Sequence, residues 1–359
     1  LIEAVKQGLV DEATIDENLK TLLKTRFKLG LFDPPEMNPY NDVTPDVIHS
    51  EEHQQLSRET AQKSIVMLKN EGVLPLAKNS KFVYVVGPNA LNNRVLLGNY
   101  YGISDNLVSI VEGITAKMEP GCAVKYRQGV LLDRQNVNPI DWTTGLARDA
   151  DVTVAVMGIS PLLESEEGAA IASPHRGDRK QIKLPQNQID YLKKLKENNP
   201  KPLVLVLTGG SAIDISEVED LADAILFAWY PGEQGGNAVA DVLFGDVSPA
   251  GRLPVTFYSS IDQLPPYDDY SMVDGHTYRY MDEEPLYPFG YGLSYTSFEY
   301  SDLQINKSEI KKGGSVKVKV KVTNTGDTES DEVAQLYLKD MVASVSIPKF
   351  AMKGVERIH

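Results

Sequence analysis

Four short, largely apolar segments constrain the fold of this chain more than any other feature of its sequence. They lie at residues 82–86, 152–157, 203–207 and 224–228. Helical stretches separate them, and the one at 185–197 places Ile189 and Leu192 on one face. Strands that are apolar on both faces and alternate with helices predict a largely parallel sheet that is covered on two sides. We therefore predict the α/β class, as a three-layer αβα sandwich.

The overall charge limits the partners of this chain. Its 359 residues carry a formal net charge of −14 at pH 7. A nucleic acid or an anionic membrane would repel such a surface, so neither is predicted as a partner, whereas a neutral polar substrate such as a sugar is compatible. No segment approaches the ~20 consecutive apolar residues that a membrane-spanning helix needs. Cys122 is the only cysteine, which excludes an internal disulfide framework and a cysteine-rich zinc site.

Both ends of the chain look like the interior of a longer protein. Leu1 rather than Met opens the chain, already within a helical pattern, and His359 closes it with no tail. Residues 1–33 have a helix-turn-helix pattern, in which Gly8 ends the first helix and Asp11 is the N-cap of the second. We therefore expect the chain to be a fragment of a longer polypeptide.

The C-terminal part changes to a different pattern. Residues 259–300 are rich in Tyr, Pro and Gly and are predicted to be mostly loop. Residues 315–322 alternate valines, predicted to face inward, with outward lysines, as in a half-buried antiparallel strand, and 332–338 start another strand. A β-sandwich begins here. Such folds need roughly 100 residues, so this one is predicted to be incomplete.

An acidic loop follows the second apolar segment. Glu164, Glu166 and Glu167 come shortly after residues 152–157. Open α/β sheets bind ligands at the carboxyl ends of their strands. Apolar walls and neighbouring charges there would raise the pKa of one carboxyl group, which could then protonate a leaving group near neutral pH. The alternative interpretation is a solvated acidic loop.

A series of motifs extends along most of the chain. They lie at 61–70, 74–76, 87–90, 97–102, 231–238, 251–254 and 287–295. In their order and spacing they resemble glycoside hydrolase family 3, the β-glucosidases and β-xylosidases. The stretches from 231 to 254 and from 287 to 295 are long, specific matches.

The resemblance implies an architecture. Members of this family commonly have a (β/α)8 barrel, an αβα sandwich and often a fibronectin-III-like domain. Residues 1–35 look like the last helices of a barrel that is otherwise missing, and 36–60 are predicted to be a linker. The αβα domain is expected at 61–258, a loop-rich connection at 259–300, and a truncated fibronectin-III-like domain at 301–359.

The resemblance also implies a function. It suggests part of a retaining, exo-acting β-glycosidase whose substrate is an oligosaccharide or an aryl glycoside. The nucleophile of the family is an aspartate on the barrel, so no residue of this chain takes that role. The general acid/base is similar to a glutamate on the loop after an apolar strand. Glu164, directly after 160–163, is the first candidate and Glu166 is the second. The fragment alone is expected to be inactive.

Three further residues are candidates for contact with the substrate. Asp178 and Arg179 could orient the loop or reach a sugar, although an ion pair within the loop is the preferred interpretation. Tyr101, next to Tyr100, could form a wall on which a sugar stacks, and an aromatic side chain packed in a turn is the alternative. Glu233 is interpreted as structural, capping the helix that begins near Gly235, because acidic side chains are stabilised at helix N-termini.

No cofactor or metal is predicted. The segment 82–86 leads into Gly87-Pro88-Asn89-Ala90 rather than Gly-x-Gly-x-x-Gly, and no P-loop motif occurs. His49 and His53 have helical spacing, but no third ligand accompanies them. A non-catalytic carbohydrate-binding or scaffold module therefore remains the alternative to an enzyme.

Overall fold

The computed structural model describes residues 1–102, 104–138, 140–165, 171–173, 177 and 179–359. Its α-helices are α1 (Ile2–Lys6), α2 (Glu12–Lys28), α3 (Glu51–Ser64), α4 (Arg94–Leu97), α5 (Ile110–Lys117), α6 (Gln186–Lys196), α7 (Gly235–Leu243) and α8 (Thr277–Tyr280). Its strands are β1 (Val66–Asn70), β2 (Phe82–Val86), β3 (Ala123–Arg127), β4 (Val152–Gly158), β5 (Leu203–Thr208), β6 (Ala224–Trp229), β7 (Phe298–Ile305), β8 (Val318–Asn324), β9 (Glu332–Leu338) and β10 (Ala351–Ile358). Within this described part, none of the helices combines the length and the apolar character needed to cross a bilayer.

The chain divides into two compact units, Leu1–His53 and Gln54–His359. In the first unit, Gly8 has a φ of 68° between α1 and α2, a conformation that glycine adopts without strain. The Asp11 carboxylate accepts a hydrogen bond of 2.6 Å from the Thr14 amide, which confirms the predicted N-cap of α2. Because α3 occupies Glu51–Ser64, the predicted linker at 36–60 ends in a helix.

A six-stranded sheet organises the second unit. Its strand order is β1-β6-β5-β4-β2-β3. Every pairing is parallel except the antiparallel pair between β1 and β6. All positions of β4 and β5 are buried, as expected for strands covered on both faces. The sequence analysis missed β3, because this edge strand alternates between exposed and partly covered side chains instead of forming an apolar run.

Helices cover both faces of this sheet. On one face, Ile189 and Leu192 of α6 belong to a core with β4 and β5 side chains. On the other, Ile114 of α5 and Val239 of α7 belong to a second core. The backbones of α5 and α7 meet closely, since a Cβ atom on Gly113 would lie 2.0 Å from the Gly236 carbonyl oxygen. The predicted coverage on two sides is confirmed.

A buried carboxylate connects three helices in this second core. Asp241 on α7 has a side chain only 2% exposed. It accepts two hydrogen bonds of 2.6 Å from Arg58 and one of 2.6 Å from Gln62, both on α3. Lys117 of α5 pairs with it at 2.5 Å. Burial raises the pKa of Asp241, but these donors outweigh it and the pKa is lowered overall.

The C-terminal strands form two small antiparallel sheets, β7–β8 and β9–β10. The strand predicted at 315–322 occurs at Val318–Asn324, and the predicted strand start at 332 is confirmed. Two valines of the alternating segment, Val316 and Val320, stay 41% and 42% exposed, so their predicted inward face is only partly covered. The fibronectin-III-like assignment stays a prediction.

A later loop covers one edge of the large sheet. At the β1 edge, the Leu293 amide donates to the Met67 carbonyl at 2.9 Å, and these residues form an antiparallel bridge. The Tyr291 hydroxyl donates to the Leu68 carbonyl at 3.1 Å. Two carbonyl groups of β1 are therefore bonded to the segment that the motif at 287–295 forms.

Candidate functional site

Three adjacent strands end side by side at one edge of the large sheet. Because β4, β5 and β6 are parallel neighbours, the loops that follow them emerge together. These loops carry the acidic segment that begins at Glu164, the Gly209-Gly210-Ser211 turn, and Tyr230. The predicted location of a ligand crevice thus coincides with a cluster of polar side chains.

Buried amides fix the point at which the acidic loop begins. The Gln188 side chain is completely buried; it accepts from the Gly158 amide and donates to the Gly158 carbonyl, both at 2.8 Å. The Asn89 side chain donates to the Thr208 hydroxyl at 2.8 Å and to the Ile159 carbonyl at 3.3 Å. Buried polar groups that are paired in this way hold the backbone in one arrangement.

Glu164 is bonded to the two neighbouring loops. One carboxylate oxygen accepts hydrogen bonds of 2.5 Å from the Gly210 amide and from the Tyr230 hydroxyl. The other accepts a hydrogen bond from the Ser211 hydroxyl. Its side chain is 16% exposed. The Asn99 side chain donates to the Glu164 carbonyl at 3.4 Å, from the loop beyond α4.

Arg179 lies near the same carboxylate. Its Nε atom is 3.8 Å from the Oε2 atom of Glu164. Its Nη2 atom donates at 2.8 Å to both the Ser211 hydroxyl and the Ala212 carbonyl. Burial lowers the pKa of the Arg179 guanidinium, while the charge of Glu164 acts in the opposite direction. Its Nη1 atom has no hydrogen-bond partner among the described residues. The preferred interpretation of Arg179, an ion pair within the loop, agrees with this contact.

The Tyr230 phenol donates the third hydrogen bond to the Glu164 carboxylate. Burial raises the pKa of its phenol, and the charge and hydrogen bond of Glu164 raise it further. The approach of its ring also requires small neighbours. A Cβ atom on Gly210 would lie 3.1 Å from both the Tyr230 ring and the Glu164 carboxylate.

The remaining predicted site residues fall into two groups. Glu166, Glu167 and Asp178 lie outside the described residues. Tyr101 is 55% exposed, which leaves its predicted sugar-stacking role open. The Glu233 carboxylate accepts a hydrogen bond of 2.7 Å from the Ser104 hydroxyl, while Gln234 is the N-cap residue of α7, so the capping role expected of Glu233 stays a prediction.

Sequence reasoning did not identify Gly210, Ser211 and Tyr230. A signal for them existed, because Gly209-Gly210-Ser211 and Tyr230-Pro231-Gly232 each follow a predicted buried strand after one intervening residue. Small residues at the carboxyl end of a parallel strand indicate close approach of backbone or ligand. A cavity of about 410 Å³ adjoins this cluster and is lined in part by Leu163 and Arg179. The described part of the chain contains no group of three metal-ligating side chains.

Comparison with known proteins shows which family this chain resembles. Residues 65–295 match the model of the glycosyl hydrolase family 3 C-terminal domain. The chain is 37% identical to a periplasmic β-glucosidase of Salmonella typhimurium, over 99% of this chain and 50% of that protein. It is 34% identical to a β-xylosidase of Formosa agariphila, over 96% and 48% of the two sequences.

The fold of this chain also matches solved structures of glycosidases. A β-glucosidase from Erythrobacter marinus superposes with a TM-score of 0.83 at 35% identity, covering 99% of this chain and 50% of that one. The chain thus spans about half the length of the relatives that it matches. The family model alone covers well over half of the 359 residues. The chain therefore belongs to glycoside hydrolase family 3.

Proposed function

We propose that this chain is the acid/base-bearing part of a retaining, exo-acting β-glycosidase that hydrolyses β-glucosides or β-xylosides. Family membership supports the hydrolase class, since the matched relatives carry β-glucosidase and β-xylosidase names. The observation that carries the proposal is the placement of the glutamate loop. It starts from a fixed strand end, Gly158, at the edge where β4, β5 and β6 terminate.

The chemistry requires two carboxyl groups. In a retaining glycosidase they lie roughly 5 Å apart: one attacks the anomeric carbon while the other protonates the glycosidic oxygen. Water then attacks the covalent intermediate and releases the sugar, while the second carboxylate takes a proton from that water. We assign the second role to the loop after β4. The nucleophile would come from the part of the longer relatives that this chain does not span.

Two glutamates of this loop compete for the acid/base role. Glu164 was the first candidate in the sequence, and its two carboxylate oxygens accept hydrogen bonds from Gly210, Ser211 and Tyr230. Glu166 is the second candidate. Replacing each with glutamine in the longer protein separates them, because azide restores turnover only when the residue that acts as base has been removed.

A first prediction follows for the chain by itself. Without an opposing nucleophile it should hydrolyse little or nothing, because retaining hydrolysis needs both carboxyl groups. The measurement is release of nitrophenol from nitrophenyl β-glucoside and β-xyloside by the purified 359-residue chain, with the longer protein as the positive control. Turnover by the short chain at an ordinary glycosidase rate would contradict the proposal.

A non-catalytic carbohydrate-binding module is the second candidate function. The observation that favours it is a cavity of about 570 Å³ next to Ser211, whose lining includes the aromatic side chains of Trp229, Tyr258, Tyr278 and Phe289. Aromatic faces with a few polar groups are typical of ligand sites. Calorimetry with gluco- and xylo-oligosaccharides separates the two functions, since a binding module should retain affinity for the sugar without hydrolysing it.

A further inference from the structure

The carboxylate of Glu164 joins three loops that are distant in the sequence. Its donors at Gly210 and Tyr230 lie 46 and 66 residues further along the chain. They follow β5, which pairs with β4, and β6, which pairs with β5 on its other side. A carboxylate that receives a backbone amide, a serine hydroxyl and a phenol is thus bound to both neighbouring strand ends at once.

The hydrogen bonds engage both carboxylate oxygens of Glu164. Both oxygens accept hydrogen bonds, and Arg179 approaches one of them from the later part of the same loop. Charge-assisted hydrogen bonds of this kind are about twice as strong as neutral ones. The guanidinium also donates to Ser211 and Ala212, so the cluster closes on itself. A proton donor to a substrate would have to leave these partners first.

The beginning of the loop is fixed independently. Gln188 bonds both backbone groups of Gly158, and Asn89 bonds the Ile159 carbonyl. Glu164 follows a few residues later, and its own carbonyl accepts from Asn99. Residues 158–164, which begin the loop, are therefore held by hydrogen bonds at both ends.

We propose that Glu164 is a positioning residue, whose carboxylate ties the acid/base loop to the ends of β5 and β6. The inference rests on the proposed function, because it assumes that this loop carries the acid/base. It assigns proton transfer to another group of the loop. Glu164 acts by setting where that group meets the glycosidic oxygen, a placement on which proton transfer depends steeply.

The test compares substrates with good and poor leaving groups in the longer natural protein. Glu164→Gln keeps the shape of the side chain but removes its charge. We expect kcat/KM for a disaccharide to fall by about 10- to 100-fold, as for a misplaced proton donor, and kcat/KM for a nitrophenyl glycoside to fall less, because that leaving group needs little protonation. Azide should produce no glycosyl azide, and the pH profile should keep its shape.

Two outcomes would overturn the proposal. If azide restores turnover of Glu164→Gln with formation of a glycosyl azide, and the pH profile loses the limb that reports the acid/base, Glu164 is itself the acid/base. If the variant has wild-type activity, the contacts have no role in placement. Glu217→Gln is the matched control, because Glu217 pairs with Lys183 and Lys193 instead, and its activity should stay within about twofold of wild type.

A second variant covers the case in which Glu164→Gln does not fold. Tyr230→Phe removes one donor and leaves the carboxylate in place. It should produce the same pattern with a smaller loss, of about 3- to 10-fold, since one neutral hydrogen bond contributes less than the whole cluster. An unchanged kcat/KM for both substrates in this variant would contradict the proposal.

A readout without catalysis separates this inference from the proposed function. The Arg179 side chain donates to Ser211 and Ala212, so trypsin can cut after Arg179 only when this side chain leaves those contacts. In the 359-residue chain, cleavage there should be faster for Glu164→Gln than for wild type or Glu217→Gln. If the longer wild-type protein hydrolyses no glycoside, the proposed function fails, while equal cleavage rates would refute the role of Glu164 as an anchor.

Discussion

The large sheet and the C-terminal strands use valine in very different surroundings. Val204 and Val206 of β5 are completely buried. By contrast, Val316, just before β8, is 41% exposed, and Val320, within β8, is 42% exposed. The first pair lies in a strand with helices on both faces, and the second belongs to a two-stranded sheet. Valine has the same strand propensity in both places, so the number of layers that cover each strand decides how much each valine contributes to the stability of the fold.

The largest expected difference between the two regions is at glycines. Gly158 in β4 and Gly313 before β8 both have positive φ angles, of 119° and 82°. A Cβ atom on Gly158 would lie 2.0 Å from the Thr208 carbonyl oxygen, while one on Gly313 would meet nothing within 4 Å. Gly158→Ala should lower the free energy of unfolding by more than ~4 kcal/mol, and Gly313→Ala by about 1 kcal/mol. Urea denaturation measures both, and equal losses would contradict the comparison.

A smaller difference is expected from truncating valines. Val206→Ala removes two fully buried methyl groups and should lower the free energy of unfolding by about 2–3 kcal/mol. Val320→Ala, on a side chain that is 42% exposed, should cost less than about 1 kcal/mol. Both values come from the same urea experiment. If Val320→Ala proved as costly as Val206→Ala, the valine face of β8 would have to be covered in solution.

The smallest difference concerns two aspartates whose pKa values are lowered. For Asp331, as for Asp241, burial alone would raise the pKa, but His359 and Arg357 outweigh it. Asp241 is 2% exposed and Asp331 is 17% exposed. At pH 7, Asp241→Asn should cost about 1–2 kcal/mol and Asp331→Asn at most about 0.5 kcal/mol.

The pH dependence gives the sign of this effect. A folded-state pKa below the unfolded value of about 3.9 makes the ionised form stabilising. The contribution of Asp241 is therefore complete above about pH 5 and is lost as the pH falls through its lowered pKa. The gap between wild type and Asp241→Asn should close in acid. A gap that stayed constant down to pH 2 would show that the charge of Asp241 is not what stabilises.

Most of the sheet could be predicted from the sequence because burial leaves a direct pattern. The apolar runs at 82–86, 152–157, 203–207 and 224–228 all became strands of the six-stranded sheet. The pattern did not reveal β3 or the reversed direction of β1. An edge strand lacks the continuous apolar run, and strand direction depends on the path of the chain rather than on residue type.

The candidate site was predictable only in part. The position of Glu164 after a buried strand follows from its local sequence, but its bonding partners do not. Gly210 and Tyr230 reach it only because β4, β5 and β6 are neighbours, and strand order cannot be deduced from hydrophobic periodicity. The same carboxylate that looked available in the sequence is thereby bonded within the fold.

The loop that lies against β1 has a consequence for how copies of this protein behave at high concentration. An outermost strand with free backbone groups is a template onto which another molecule can add, and such growth leads to aggregation. Leu293 and Tyr291 already use the carbonyls of Met67 and Leu68. A molecule arriving at that side would have to displace them, so this margin of the sheet resists self-association.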